Sequence, residues 1–545
     1  MRTLSVNSEL DDAFRQLGHS VHSVSLTEHG VFSAQALLAA CPFEPEFFFQ
    51  QEHLGAVVLF NDLDRISCIK AFWSVDTHLN YYWQRFYGQL FDLFFTPHIS
   101  YIGKLAEEWR HPAMHRLAKP GAQRPWIPHA ARKHAMSFVG RMSAGRPLRN
   151  NFCALLQKRY GLEVRQGLSH QAMMDLYDAT RLLPNESIAL ETNFRLVEGA
   201  SCGCCLISPD IGEDQDALFS PGEELFVYRD ALELVDRLDA CLREPDTAEA
   251  VGKAARARVG AEHLPRHRAQ SVCEALPISG RHAARGDEAA GCLAMALSLM
   301  HINGVLASGV FPGETEKLGP LRLCTVRIWD AAKRSDMETL GTLLAEAESL
   351  VQTRNAARKD LAPLLVAAGG AALFAGNPAQ SFSLYQRYEE LYGRRAQTCA
   401  DTPADVCLAW IASLAADKKL IAHGFQAVPG CCCSAYDMIM LLARLDPHGT
   451  DWARTLHDIE HLRHSMPHLD LRALARLDLN TRDSLDASLA YMAGALRLCD
   501  IERARLELQT LNERAERHGI TPQLRRLLCA RFPRLDLLHE MSAGG

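Results

Sequence analysis

The feature that most limits how this chain can fold is a change of pattern near Gly286. Before it, short apolar runs with the spacing of buried strands alternate with stretches of helical periodicity. Beyond it, from about residue 290 to 540, nearly every segment has helical periodicity and good helix-forming residues. Alternating strands and helices indicate a parallel, doubly wound sheet, whereas a long run of helices indicates helix-on-helix packing. The sequence therefore predicts an α/β part followed by an all-α part.

The α/β part divides into two units of comparable size at a segment bounded by Pro125 and Pro128. In the first unit, the pattern predicts a helix at 10–17 and strands at 21–26, 56–60, 66–73 and 91–96. In the second, it predicts strands at 136–139, 162–165 and 204–208 and helices at 151–160, 170–179, 194–202, 232–242 and 248–259. The predicted domains are two Rossmann-like lobes at 1–125 and 126–276, a linker at 277–289, and an all-helical domain at 290–545.

Two stretches of the helical part have a helix-turn-helix rhythm with small residues at the crossing. One spans 371–392 around Gly376–Pro378, and the other spans 487–515 around Gly494. This resembles tetratricopeptide-type packing, yet no clean 34-residue period runs through the region. A degenerate helical repeat and an irregular helical bundle therefore both remain open.

Composition excludes several classes of protein. A formal net charge of -7 argues against a general nucleic-acid binder. The sequence contains no run of about 18 apolar residues, so no membrane span is predicted. The residues after Met1 lack the pattern of a secretory signal, and a cytoplasmic location is therefore expected. The 17 cysteines, odd in number and clustered, suit reduced thiols. Cys202, Cys204 and Cys205 have no second pair at zinc-finger spacing, which favours small buried residues over structural zinc.

The segment 185–208 has the pattern of a phosphate-binding site. A polar loop opens a short helix that leads into a buried strand, and such a helix start offers unpaired N–H groups and a positive dipole end. Arg195 falls in the first turn, where its charge opposes the dipole unless an anion lies nearby. Glu198 lies one turn later and can accept hydrogen bonds from ribose hydroxyls. An ordinary surface pair between Arg195 and Glu198 is the alternative interpretation.

The stretch Asn193–Gly203, followed by similar segments at 218–228, 232–234 and 256–263, resembles the spore-maturation CgeB-like family of glycosyltransferases. An Arg-x-x-Glu helix start, a small-residue turn, a Phe-x-x-Gly loop and a closing helix pair recur there in this order. The resemblance implies a GT-B fold, a nucleotide-sugar donor as co-substrate, no tightly bound cofactor, Asn193 and Arg195 at the donor, and Glu198 at the ribose.

Two departures from the wider GT-B pattern limit that inference. Retaining enzymes of this fold often have two glutamates separated by seven residues, whereas Glu191 and Glu198 have six residues between them. The Gly-Gly loop found near the N-terminus of many GT-B enzymes is also missing. The sequence therefore does not indicate a retaining or an inverting outcome.

A second basic cluster precedes a predicted helix in the same lobe. Phe138–Met142 resembles the strand-to-loop entry of the second lobe in the CgeB-like family, and Arg141, Arg146 and Arg149 follow within nine residues. Gly140 permits close backbone approach, and arginines match phosphate oxygens bidentately. We expect these four residues to bind the nucleotide sugar, with a solvated basic loop as the alternative.

In the first lobe, Asp76 and His78 come where a predicted strand ends and a loop begins. Ligands of parallel sheets lie beyond the carboxyl ends of the strands. Either side chain is of a type that can remove the proton of an acceptor hydroxyl, so both are candidate catalytic residues. His78 can equally orient a sugar hydroxyl or fill the wall of a cleft.

These features together predict a glycosyltransferase that moves a sugar from a nucleotide-sugar donor to a protein, such as flagellin, or to a surface glycan. Arginines and a helix N-terminus would stabilise the leaving diphosphate, and no Asp-x-Asp motif indicates a bound metal. One alternative is a catalytically silent GT-B-like scaffold that recruits partners through its helical domain. A sugar-nucleotide epimerase of the same fold is a further alternative.

Overall fold

The computed structural model describes residues 1–99, 102, 111–187, 190–277, 280–306, 317–352, 358–396, 402–420, 428–463, 473–477 and 484–543. The strands are β1 (Arg2–Val6), β2 (Ser20–Val24), β3 (Gly30–Ser33), β4 (Phe47–Gln51), β5 (Val58–Asn61), β6 (Ile69–Trp73), β7 (Leu93–Thr96), β8 (Met114–Arg116), β9 (His134–Val139), β10 (Glu163–Arg165), β11 (Thr180–Pro184), β12 (Cys205–Pro209) and β13 (Phe226–Tyr228).

The helices of the α/β part are α1 (Asp11–Gln16), α2 (Ala34–Ala40), α3 (Thr77–Tyr87), α4 (Pro147–Tyr160), α5 (His170–Asp178), α6 (Phe194–Ser201), α7 (Glu213–Asp216), α8 (Ala231–Arg243), α9 (Pro245–Arg258) and α10 (Pro265–Ala275). Those that follow are α11 (Gly286–Ile302), α12 (Pro320–Arg334), α13 (Met337–Val351), α14 (Arg358–Phe374), α15 (Pro378–Leu391), α16 (Pro403–Ala416), α17 (Ala435–Leu445), α18 (Asp451–Arg463), α19 (Leu485–Arg497), α20 (Ile501–Arg517), α21 (Thr521–Arg531) and α22 (Asp536–Ala543).

The chain forms two compact units. One consists of Met1–Pro97, Tyr101–Leu117 and Ala269–Ile459, and the other of His98–Ser100, Ala118–Arg268 and Glu460–Gly545. The first unit contains a six-stranded and a two-stranded parallel sheet, and the second unit contains a five-stranded parallel sheet. Both units also include helices from the C-terminal part of the chain. The domain limits predicted at 125, 276 and 290 stay predictions.

The sheet of the first unit has the strand order β2-β1-β4-β6-β7-β8, and every pair is parallel. Aromatic residues cover both faces. Phe47, Phe49 and Trp73 pack with α1 and the second half of α10 on one face. On the other face Phe72 lies 5.5 Å from the ring of Tyr87 in α3, against which α11 packs. Burial on both faces explains why these strands are continuous apolar runs.

The strand predicted at 56–60 occurs as β5, but it does not belong to this sheet. It pairs with β3 in a separate two-stranded sheet, from Gly30 opposite Val58 to Ser33 opposite Asn61.

The described part of the predicted linker is fixed to the first sheet by hydrogen bonds. The carboxylate of Asp92 accepts the backbone N–H groups of His282 and Ala283, at 3.0 and 3.2 Å. Linker residues 278 and 279 lie outside the described residues.

The sheet of the second unit has the order β10-β9-β11-β12-β13, again with every pair parallel. Helices α4, α8 and α9 pack on one face, around Phe138, Phe152 and Leu234. Helices α5 and α6 pack on the other, around Tyr177 and Leu196. The last helices, α19 to α22, bury their apolar sides in one cluster, which α19 and α22 join to Leu232 and Val235 of α8.

The fold class predicted from the sequence is confirmed: two Rossmann-like α/β lobes are followed by a helix-rich region. Among the described residues, no strand occurs after Tyr228. The predicted turn at Gly376–Pro378 joins α14 to α15, and Gly376 adopts a φ of 80° there. In the second helix-turn-helix stretch, Gly494 lies inside α19, and the turn comes later, between Arg497 and Ile501.

Candidate functional site

The candidate donor site lies at the carboxyl edge of the second sheet. Gly140 directly follows β9 and Asn185 directly follows β11, so the loops that lead to α4 and α6 leave the sheet at this edge. Neither Arg146 before α4 nor Asn193 before α6 caps its helix with a side-chain hydrogen bond. The first-turn N–H groups of both helices therefore lack the side-chain acceptor that usually satisfies them.

Arg195, in the first turn of α6, is buried with only 8% of its surface exposed. Its Nη1 donates to Asn185 Oδ1 at 2.6 Å, and its Nη2 donates to the carbonyl of Val139 at 3.0 Å. The guanidinium carbon stands 4.0 Å from the ring centroid of Phe138, a cation–π distance. Nε is buried and has no hydrogen-bond partner among the described residues. The surface pair with Glu198 is therefore not the arrangement that Arg195 adopts.

Arg149 reaches the same place from the first turn of α4. Its Nε donates to the buried carboxylate of Glu186, and its Nη1 donates to the carbonyl of Arg141 at 3.0 Å. Burial lowers the pKa of the Arg149 guanidinium; Glu186 opposes this, while Arg195 and Arg146 lower the pKa further. The positive charges of this cluster therefore repel one another.

Gly140 lies where these two guanidinium groups converge. A Cβ at this position would stand 3.2 Å from Arg195 Nη2, 3.3 Å from Arg149 Nη1 and 2.8 Å from the ring of Phe138. We expected the missing side chain to admit a phosphate to the backbone. In the structure, the guanidinium groups of Arg149 and Arg195 line this space, so a phosphate that entered it would contact them before it reached the backbone.

Arg141 and Arg146 differ from these two arginines. Arg141 is exposed, and Arg146 is half-buried in the same loop. Neither side chain has a hydrogen bond or an ion pair with the described part of the chain. Their guanidinium groups therefore remain available to an anionic ligand.

Asn193 bridges the loop after β11. Its Nδ2 donates to Asn185 Oδ1 at 3.0 Å and to the carbonyl of Glu186 at 2.9 Å, while its own Oδ1 is buried without a hydrogen-bond partner in the described ranges. Glu198, one turn into α6, lies 3.6 Å from Nε2 of the exposed His170. The structure thus brings together Gly140, Arg149, Asn193 and Arg195, with Glu198 on the same short helix.

Sequence reasoning missed Asn185 and Glu186, which connect the cluster. The side-chain oxygen of Asn185 accepts from both Arg195 and Asn193, and its carbonyl accepts from the hydroxyl of Tyr228 at 2.7 Å. Glu186 is 1% exposed, and its Oε2 has no hydrogen-bond partner in the described residues. Their position directly after the apolar run Leu182–Pro184 was the available signal.

Asp76 and His78 lie at the carboxyl edge of the first sheet, in the turn between β6 and α3. Asp76 precedes the first residue of α3 but makes no side-chain cap, and His78 lies in the first turn. Both are half-buried. Sequence reasoning missed their neighbour Glu52, which directly follows β4 and accepts the backbone N–H of Asp76 at 2.9 Å.

Other kinds of site are not apparent in the part of the chain that the structure describes. It contains no group of three or more His, Cys, Asp or Glu side chains suited to a metal ion. Cys202, Cys204 and Cys205 are fully buried, and burial raises the pKa of the Cys204 thiol to about 12. Within the same residues, no helix has the length and hydropathy needed to cross a membrane.

Comparison with known proteins gives a family for one part of the chain. Residues 124–274 match a family model described as glycosyl transferase-like. Among solved structures, the sucrose-phosphate synthase of Thermosynechococcus elongatus has 11% identity and a TM-score of 0.37, over 51% of this chain and 98% of that chain. Anabaena HepE in complex with UDP-glucose has 10% identity and a TM-score of 0.33, over 51% of this chain and 100% of that chain. No curated protein matches the chain. The second sheet and its arginine cluster therefore lie within the region that matches the glycosyl transferase-like family model.

Proposed function

We propose that this chain transfers a sugar from a nucleotide-sugar donor to an acceptor hydroxyl, with the donor held at the carboxyl edge of the second sheet. The glycosyl transferase-like match of residues 124–274 supports sugar transfer. The arginine cluster supports a donor that carries a diphosphate.

The observation that carries the proposal is an excess of positive charge. The guanidinium groups of Arg146, Arg149 and Arg195 form one loop-and-helix cluster, and the backbone carbonyl of Arg141 accepts from Arg149 beside it. In the described residues, the carboxylate that bonds to them is that of Glu186. Buried cations that repel one another are stabilised by an anion, and two uncapped helix N-termini at the same edge favour the same ligand. A nucleoside diphosphate supplies both the charge and the oxygen acceptors.

The roles follow from where charge develops in the reaction. Negative charge grows on the diphosphate as the bond to the sugar breaks, so the arginines stabilise the transition state more than the bound donor. Glu198 would bind the ribose hydroxyls, as the CgeB-like resemblance implies. Asp76 or His78 in the first lobe would take the acceptor's proton. No tightly bound metal or cofactor is needed for these steps.

The acceptor is a protein, such as flagellin, or a surface glycan, and the helix-rich region after Gly286 is the part of the chain that would dock it. A CgeB-like glycosyltransferase that acts on such an acceptor is the function we favour.

Calorimetry with UDP, GDP, CDP, ADP and TDP tests the donor site directly. Arg146→Ala is the most informative variant, because the side chain has no internal hydrogen bond whose loss would disturb folding. We expect about tenfold to hundredfold weaker binding of the preferred diphosphate, the scale of one charged hydrogen bond. Arg229→Ala is the matched control, since Arg229 is exposed in the same lobe and pairs with Glu233. Equal affinities in both variants, or no binding by the unaltered protein, would favour the silent scaffold.

A further inference from the structure

Glu52 is a buried carboxylate at the carboxyl edge of the first sheet. It follows β4, near the middle of the sheet, and only 8% of it is exposed. Its Oε2 accepts the backbone N–H groups of Val75 at 2.6 Å and Asp76 at 2.9 Å. Its Oε1 accepts from Asn80 Nδ2 at 2.7 Å. All three donors belong to the turn and the first residues of α3, so one carboxylate fixes the segment that contains Asp76 and His78.

A chain of hydroxyl groups supports the same turn from the neighbouring strands. Ser74 Oγ lies 2.7 Å from Thr77 Oγ1 and donates to Gln84 Oε1 at 2.6 Å. Thr77 Oγ1 in turn lies 2.8 Å from Thr96 Oγ1 at the end of β7. These side chains are fully buried. These hydrogen bonds link the turn to α3 and to the end of β7, although Gln84 Nε2 is buried without a hydrogen-bond partner in the described residues. A buried network of this kind favours one geometry of the turn.

The protonation state of Glu52 also affects the hydrogen bonds that it accepts from the turn. The titratable groups that face it are Asp76 and, from α3, Tyr82, whose pKa is raised by burial and by Glu52. Burial raises the pKa of Glu52, and Asp76 raises it further, while the backbone N–H groups of Asp76 and Val75 oppose the shift. The carboxylate form, which can accept from both N–H groups, is therefore lost at a higher pH than for an exposed glutamate.

We infer that Glu52 is a positioning residue for acceptor activation, holding the backbone of Val75 and Asp76 so that the candidate base stays at the carboxyl edge of the first sheet. This inference rests on the proposed function, in which Asp76 or His78 takes the acceptor's proton. Glu52 acts in this role through its hydrogen bonds to the turn and to Asn80.

Glu52→Gln is the first test. Glutamine conserves the volume but removes the charge and replaces one of the two acceptor oxygens with an NH₂ donor, so the hold of the side chain on the turn is weakened. We expect kcat for donor turnover to fall about tenfold to hundredfold, with unchanged calorimetric affinity for the nucleoside diphosphate. The acid limb of the pH–rate profile should move to lower pH, because burial raises the pKa of Glu52 and the variant has no carboxyl group at this position to take up a proton. A defect of packing alone would lower the rate without moving that limb.

Glu46→Gln is the matched control, because Glu46 lies immediately before the same strand, is exposed and pairs with Arg2. Double-mutant cycles with Asp76→Asn and with His78→Gln then separate positioning from general damage. If Glu52 positions the candidate base, adding Glu52→Gln to the variant of that base causes no further loss of rate. Additive losses in both cycles, or a Glu52→Gln profile equal to that of Glu46→Gln, would overturn the assignment.

Asn80→Ala provides a second test for the case in which the Glu52→Gln protein does not fold. It removes one donor to Glu52 without a change of charge, and we expect a smaller loss of kcat in the same direction. Normal kcat in a folded Asn80→Ala protein, with no folded Glu52→Gln protein, would reduce Glu52 to a stability role. An unaltered protein that neither binds a nucleoside diphosphate nor turns over a donor would refute the proposed function itself, and the inference with it.

Discussion

Gly140→Ala adds one methyl group at the point where the two buried guanidinium groups converge. The new Cβ would stand 2.8 Å from the ring of Phe138, closer than real Cβ atoms approach, so the ring must shift. It would also stand 3.2 Å from Arg195 Nη2 and 3.3 Å from Arg149 Nη1, and both groups must give by a few tenths of an ångström. Gly140 has no positive φ, so alanine meets no backbone strain. The effect of the variant therefore comes from these contacts alone.

The expected magnitude combines two opposing effects on stability with one on binding. Overpacking costs about 1–3 kcal/mol, and the reduced entropy of the unfolded chain returns about 0.4–1 kcal/mol, so the free energy of unfolding should fall by at most about 2.6 kcal/mol. Displacing guanidinium groups from the ligand removes part of one or two charged hydrogen bonds, each about 1.5–3 kcal/mol. We therefore expect nucleoside diphosphate to bind about tenfold to hundredfold more weakly.

Gly145→Ala provides the control for this measurement. Gly145 belongs to the same loop, has no positive φ, and a Cβ there would meet nothing within 4 Å. Urea denaturation gives the stability of both variants, and calorimetry with the preferred diphosphate gives the affinity. If Gly140→Ala binds the diphosphate as tightly as Gly145→Ala does, the convergence of guanidinium groups at Gly140 is not the anion site.

Three further predictions concern single side chains. Arg195→Lys should lower the free energy of unfolding by about 1.5–3 kcal/mol, because one ammonium group cannot donate to both Asn185 and the carbonyl of Val139. The same variant should reduce turnover more than donor affinity. An unchanged urea midpoint with normal steady-state kinetics would contradict this. Glu198→Ala should weaken nucleotide binding by about 1–3 kcal/mol in calorimetry, and unchanged affinity in a folded variant would remove Glu198 from the site. Burial lowers the pKa of His263 from 6.5 to about 4, so the native state takes up its proton less readily than the unfolded chain, and stability is lost as pH falls from about 6.5 to about 4. His263→Gln should make the free energy of unfolding less dependent on pH by up to about 3 kcal/mol over that window, and equal pH dependence in both proteins would refute it.

Secondary structure was predictable where the local pattern was strong. Strands β6, β7 and β9 and helices α8 and α9 occur within a few residues of their predicted limits. The sequence analysis did not identify β4 or β11. The run Phe47–Gln51 is apolar for three residues without alternation, and Ala179 is the single residue between the end of α5 and the start of β11. Short buried strands of this kind have no period that separates them from a helix, and only their neighbours in the sheet define them.

The sequence predicted which types of residue form the candidate site and at which edge of the sheet they lie. Arg195 was found because a cation in the first turn of a helix calls for an anion. Its burial was not foreseen, because it depends on Val139 and Asn185, which the sheet order brings to it from 56 and 10 residues away. Arg149 likewise meets Glu186 across 37 residues. Local spacing gives no information about such partners until β9 and β11 are known to be neighbours.

The burial of Arg195 changes which experiment separates an enzyme from a silent scaffold. A surface pair with Glu198 would have made any loss of stability in Arg195→Lys small, so that a loss of turnover pointed to the ligand alone. In the structure, Arg195 holds the ends of two strands together, so its replacement disturbs folding in a scaffold as much as in an enzyme. Arg146 carries the same charge in the same cluster, but its side chain does not connect the two strands. A loss of diphosphate affinity in Arg146→Ala, at unchanged stability, therefore has one explanation, which is that the cluster binds an anion.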